Sequence, residues 1–199
     1  MRSRLAVALA LVAALVAIAP AAGAARRATT KHVFAAFEAG ALARGLHVVK
    51  EVRGSCWTGS EATDRSDSWR CMSGNFIYDP CFSSATPGTT SHVICASSPF
   101  VRGVVELVLT KRLPYAYGNA HHRATASAPW AVRLTNGVAC VALQGATGAI
   151  AGMRIGYACS NKGVLVGNPR RSTPTWRIFF AKSFAASNVR LVPVAEAWW

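Results

Sequence analysis

Residues 130–143 read Trp130-Ala131-Val132-Arg133-Leu134-Thr135-Asn136-Gly137-Val138-Ala139-Cys140-Val141-Ala142-Leu143. Two apolar runs flank Asn136-Gly137, the dipeptide preferred where a two-residue type I′ turn joins antiparallel strands. Such a loop sets Thr135 opposite Val138, Leu134 opposite Ala139, Arg133 opposite Cys140, Val132 opposite Val141 and Trp130 opposite Leu143. Trp130, Val132, Leu134, Ala139, Val141 and Leu143 then share one apolar face, and a slip of one residue would scatter that set. Cys140 falls on the other face, beside Arg133. Cys159, the nearest cysteine downstream, shares parity with the apolar Met153, Ile155 and Tyr157. A Cys140–Cys159 link therefore requires a sheet covered on both faces, or a bulge at Gly145, Gly148 or Gly152.

Outward from this hairpin, short β-branched and aromatic runs recur with turn residues about every 10 positions. Leu46 to Val52 ends at Arg53-Gly54, and Phe76 to Tyr78 stops at a turn made by Asp79-Pro80. Further strands are expected at His92 to Ala96, Val104 to Thr110, Tyr157 to Cys159, Val164 to Val166, Trp176 to Phe180 and Val189 to Val194. The pattern is that of a mainly β domain, an antiparallel sandwich or a barrel-like fold. One exception is predicted: Phe34, Phe37, Ala41 and Leu42 recur at helical spacing between Thr30, an N-cap type, and Gly45, giving one short N-terminal helix interrupted by Gly40. Ser83 to Ser91 and Ala116 to Pro129 read as surface loops.

The first residues carry a separate message. Arg2 and Arg4 precede an uninterrupted run of Leu, Val, Ala and Ile from Leu5 to Ile18, followed by Ala22-Gly23-Ala24. Charged start, apolar centre and small residues before a cut are the parts of a secretory signal peptide, with cleavage near Ala24. About 14 apolar residues fall short of the roughly 20 that cross a bilayer. The expected organisation is a signal peptide over 1–24, a basic leader and short helix over 25–45, and a single disulfide-rich β domain over 46–199. The product is expected to be secreted or extracytoplasmic, with no transmembrane segment after cleavage.

Six cysteines follow the signal: Cys56, Cys71, Cys81, Cys95, Cys140 and Cys159. An even count in an exported chain reads as disulfides. Closing short loops costs least chain entropy, which favours Cys56 with Cys71, Cys81 with Cys95 and Cys140 with Cys159. Each link is worth roughly 3 kcal/mol on the loop-entropy account. No Cys-x-x-Cys occurs and no His stands at ligand spacing, so no metal or other cofactor is expected.

The chain has 22 Lys and Arg against 8 Asp and Glu. Loss of Arg2 and Arg4 with the signal leaves an excess of about +12, which suits a polyanionic partner. Candidate binding residues are the basic pairs Lys111-Arg112 and Arg170-Arg171, the loop histidines His121 and His122, and the terminal Trp198-Trp199. The last pair is either an exposed handle or is drawn onto the sheet by Leu191, Val192 and Val194. Trp57, Trp69 and Trp176 are read as covering disulfides and core in preference to forming a sugar platform.

Catalytic patterns are absent from the sequence: neither Gly-x-Ser-x-Gly nor His-Glu-x-x-His occurs. Gly145-Ala-Thr-Gly148 has the wrong spacing for a dinucleotide loop and reads as a turn. Glu106, in an apolar strand, is expected to have a basic partner.

The motifs Gly54-Ser-Cys56-Trp57-Thr-Gly-Ser60, Trp69-Arg-Cys71, Asp79-Pro-Cys81-Phe82 and Ile94-Cys95 resemble those of an extracytoplasmic domain of unknown function in exported actinobacterial proteins. Pro129-Trp130-Ala131, Cys140, Gly145-Ala-Thr-Gly148 and Tyr157-Ala-Cys159 fit the same pattern. The resemblance runs from about Gly54 to the C-terminus and implies location without a reaction. The expected function is a non-enzymatic binding module for an anionic envelope polymer or an extracellular protein; the alternative is a cell-envelope hydrolase with a non-local active site.

Overall fold

The computed structural model describes residues 27–84, 90–114, 128–145 and 147–199. Its regular elements are all strands: β1 (Thr30–His32), β2 (Phe37–Glu38), β3 (Ala41–Leu42), β4 (His47–Gly59), β5 (Ser68–Ser73), β6 (Phe76–Phe82), β7 (His92–Cys95) and β8 (Gly103–Leu109). They continue as β9 (Ala131–Leu134), β10 (Ala139–Ala142), β11 (Ala149–Ile150), β12 (Met153–Cys159), β13 (Val164–Arg170), β14 (Arg177–Ala181) and β15 (Arg190–Trp198). The chain is thus the disulfide-stapled, barrel-like β protein that its spacing of strands and turns suggests.

Strands β4 to β8 run up and down and close on themselves. With an odd number of strands the first and last point the same way, so the closing pair, β4 with β8, is parallel. Strand β4 is long enough to serve two neighbours, lying on β8 up to Gly54 and on β5 from Ser55 onward. Gly54 marks the switch. A Cβ there would sit 2.0 Å from the Met72 carbonyl oxygen, so only glycine allows the strands this close.

Strands β9, β10, β12, β13, β14 and β15 form the second sheet, and antiparallel pairing of β15 with β9 closes it. Six is even, so here the closing pair is antiparallel. Strand β1 adds in parallel along the end of β15, with Thr30 beside Glu196 and His32 beside Trp198.

Each disulfide joins residues directly opposite one another on paired strands: Cys56 with Cys71, Cys81 with Cys95 and Cys140 with Cys159. The first two lie in the interior of the five-stranded barrel with Trp69, Val93, Leu107 and Leu113. The third belongs to the six-stranded interior, with Val132, Leu134, Tyr157, Leu165, Ile178 and Phe180. A junction core of Phe34, Phe82, Ile94, Val104 and the fully buried Trp130 binds the two barrels. Outside the second barrel, Ile150, Ile155, Val164 and Val166 form a further cluster, so part of that sheet is covered on both faces.

Several expectations change. The Asn136-Gly137 hairpin exists, but its turn is one residue longer. Gly137 N–H donates to the Leu134 carbonyl, Leu134 N–H donates to the Val138 carbonyl, and Gly137 takes φ 86°. The pairing is therefore Cys140 with Val132 and Ala139 with Arg133, one step from the type I′ register. That step places Cys140 on the buried face beside Val132 and Leu134, and it removes the conflict of parity with Cys159. The predicted helix is absent: Phe37 pairs with Leu42 across a tight turn in which Ala39 (φ 49°) and Gly40 (φ 83°) are both left-handed. Phe34, Phe37 and Leu42 still reach the junction core, by folding back instead of by helical stacking. The leader, too, is structured from Thr29, whose buried hydroxyl donates to the Val194 carbonyl and accepts from Trp176 N–H. Strand β6 runs on through Asp79-Pro80, whose peptide is cis, where a turn was expected. The signal segment and most of the two predicted loops, including residues 85–89 and 115–127, lie outside the described residues.

Candidate functional site

The acids and bases divide between the barrels. Residues 46–114 contain seven Lys and Arg against six Asp and Glu, whereas residues 128–199 contain eight against one, Glu196. That single acid is engaged: Arg133 Nε donates to Glu196 Oε2 at 3.1 Å, and the same guanidinium lies over Phe100 and Trp198. Arg154, Lys162, Arg170, Arg171, Arg177, Lys182 and Arg190 have no ion pair with a side-chain carboxylate among the described residues.

Part of this charge is gathered at one end of β13 and β14. Arg170 stands directly across from Arg177, a like-charge cross-strand pair that costs stability unless an anion lies between or beside them. Arg170 stacks over Phe179 with its guanidinium 4.6 Å from the ring centroid. Arg171 covers Trp176 at 4.6 Å and Trp199 at 5.6 Å, and Lys31 Nζ lies 5.5 Å from the Trp176 centroid. Arg27 is brought close as well, its carbonyl accepting from the Thr175 hydroxyl. Arginines laid flat on rings are held in place while their edges remain available to oxyanions. The chemistry on offer is recognition of a row of phosphates, sulfates or carboxylates.

No protein family, curated protein or solved structure matches the chain.

Of the candidate binding residues, the structure brings together Arg170, Arg171 and Trp199. Trp198 docks on the opposite side, stacked on His32 at 4.6 Å and edge-on to Phe100 at 4.7 Å. Phe34 N–H donates to the Trp199 carbonyl, and Arg65 Nη1 donates to it at 3.3 Å. The terminal pair is therefore drawn onto the sheet, where it ties the barrels together, and is not a free handle. Lys111 and Arg112 are exposed beyond β8 and belong to the other barrel. His121 and His122 lie outside the described residues. The three tryptophans considered as a platform are separate: Trp69 and Trp176 are buried in different barrel interiors, and Trp57 is exposed beneath Arg70. Glu106 makes no ion pair with a described residue, sitting beside Glu51 across the parallel β4–β8 pair. Sequence reading missed Lys31 and Arg177, and the signal that could have found the site was the run of bases after residue 130 with only one acid.

A polar network where β4 meets β6 superficially invites a catalytic reading. The Ser60 hydroxyl donates to Asp79 Oδ1, and Asp79 Oδ2 accepts from Glu61 N–H at 3.0 Å. Burial raises the Asp79 pKa above its usual 3.8 even though Ser60, the Glu61 amide and Arg70 all favour the anion. The Ser60 oxygen, however, also accepts from the Ala62 and Thr63 amides, so its hydrogen-bonding capacity is used in shaping the turn. Between the barrels opens a cleft of about 460 Å³, lined by Glu61 from the first and by Gln144, Arg154, Tyr157 and Asn168 from the second. Burial holds the Tyr157 phenol well above its ordinary pKa, and its hydroxyl donates to the Pro129 carbonyl at 2.7 Å.

Proposed function

We propose that the protein is an exported, extracytoplasmic binding domain that holds an anionic envelope polymer against its six-stranded barrel. The carrying observation is the basic end of β13 and β14, where Arg170 opposes Arg177 on the side of Phe179, Arg171 and Lys31 lie over Trp176 on the other side, and none of the four forms an ion pair with a side-chain carboxylate among the described residues. Rows of fixed cations favour a polymer over a single ion, because each added contact on the same chain is already at high local concentration. Three disulfides, and the absence among the described residues of any helix able to cross a membrane, are compatible with that location. The resemblance of the Cys and Trp motifs to an exported actinobacterial domain supports it further.

Retention on immobilised polyphosphate, compared between low and high salt, tests the reading. Binding should weaken steeply with salt as the charges are screened. Changing Lys31, Arg170 and Arg171 together to Gln should weaken it by about tenfold or more. The control exchange of Lys111 and Arg112 to Gln, on the near-neutral barrel, should leave it within about twofold. Equal losses from both sets would mean that net charge, and not this end of β13 and β14, does the binding.

A further inference from the structure

The cleft between the barrels holds a second, differently built site. Part of its lining comes from Gly145 and from Arg154, Gly156 and Tyr157 of strand β12. Gly145 and Thr147, in a stretch that the sequence marks only as a turn, bracket Arg154. Arg154 Nε donates to Thr147 Oγ1 at 3.1 Å and Nη2 donates to the Gly145 carbonyl at 2.6 Å, while the Thr147 hydroxyl donates onward to the Ile155 carbonyl at 2.6 Å. Both acceptors of the guanidinium are neutral. Its position is therefore set without its charge being cancelled, and further N–H donors remain on its fork. The acid lining the opposite wall does not cancel it either, since Glu61 is bound to Arg70.

The rest of the lining narrows the ligand. Gln144 and Asn168 offer side-chain amides, each a donor and an acceptor, which match the N–H and C=O of a peptide bond. Ala62, Pro129 and Leu143 add apolar surface for a small side chain. Among the described residues of the lining the one aromatic, Tyr157, is 3% exposed with its hydroxyl already bonded, so it offers no face on which a sugar could stack. A volume of about 460 Å³ lies within the range of small-ligand sites and suits a few residues of extended chain.

We propose that this cleft binds the carboxyl-terminal end of a short peptide, with its carboxylate on Arg154 and its last amide between Gln144 and Asn168. The site shares no residue with the basic end of β13 and β14, and the inference does not depend on polymer binding there.

Calorimetric titration of the full chain with N-acetyl-alanyl-alanine and with its C-terminal amide tests the proposal. The free acid should bind, and the amide should bind at least about tenfold more weakly, since it cannot form the charge-assisted fork. Arg154→Gln should abolish the preference, while Asn168→Ala and Gln144→Ala should weaken both ligands. Arg171→Gln should change neither. If Arg154→Gln lowers the melting temperature through loss of the bracket, the Asn168→Ala variant carries the test, and unchanged affinity there overturns the assignment. So do equal affinities for acid and amide, no binding of the acid, or Arg154-dependent binding of an oligouronate in place of the peptide.

Discussion

The two barrels solve the same closure problem with different strand counts, and much of the contrast between them follows. The five-stranded barrel must end on a parallel pair, so one strand has to be long, coiled and free of a side chain at Gly54. The six-stranded barrel closes antiparallel and needs no such crossing. The first holds two disulfides in its interior and nearly balanced charge; the second holds one disulfide and almost no acid. In the second, arginines without a side-chain carboxylate partner among the described residues repel one another, and this is the imbalance on which the proposed polymer site rests.

The largest effect that breaks this comparison is expected at Gly54. Gly54→Val drives a side chain into the Met72 carbonyl and should cost about 3 kcal/mol or more of stability, read by denaturant unfolding. By contrast Gly148→Ala, just before β11, meets nothing closer than Ile155 Cδ1 at 3.7 Å and should shift stability by less than about 0.5 kcal/mol.

Next come the disulfides. Replacing Cys140 and Cys159 by Ala should lower stability by about 3 kcal/mol and strip hydrogen-exchange protection from β9 to β15. Replacing Cys56 and Cys71 leaves Cys81–Cys95 in the first barrel and should spare β9 to β15. Uniform loss of protection in both cases would show that the shared Trp130 core makes the barrels one cooperative unit. Peptide mapping without reduction should recover the three sequential links, and a Cys56–Cys95 peptide would refute them.

The smallest effect concerns pH. Asp79 keeps its proton to higher pH in the folded chain than in the unfolded one, so its contribution is most favourable below about 3.8 and is lost as pH rises through the raised value. The stability of the wild type relative to Asp79→Asn should therefore fall from acidic to neutral pH. A difference that does not vary with pH would place Asp79 at its ordinary value. The second barrel, with Glu196 as its one acid, offers no comparable buried carboxylate.

Local patterns in the chain were readable where neighbours in sequence are neighbours in space. The sequential disulfides are of this kind, since each closes a hairpin or a short excursion between paired strands. The Asn136-Gly137 hairpin was legible in existence but not in register, because a left-handed Gly137 alone serves a three-residue loop as well as two left-handed residues serve a two-residue one. The helix was misread for a related reason: Phe34, Phe37 and Leu42 have helical spacing, yet a turn at Ala39-Gly40 buries the same side chains. At the site, Arg170 and Arg171 were visible as a basic pair. Arg177 and Lys31 were not, because cross-strand pairing and the parallel addition of β1 bring them there from 7 and about 140 residues away.

What the amino-acid sequence determined by itself is the β class, the cysteine pairing and the separation of acids from bases along the chain. Those depend on composition, alternation and the entropy of short loops. Tertiary structure alone decided that strand parity closes two barrels, that Trp198 and Trp199 dock where the barrels meet, and that Arg154, held by Gly145 and Thr147, lines a cleft. Such features arise from contacts between distant segments, whose geometry no local spacing encodes.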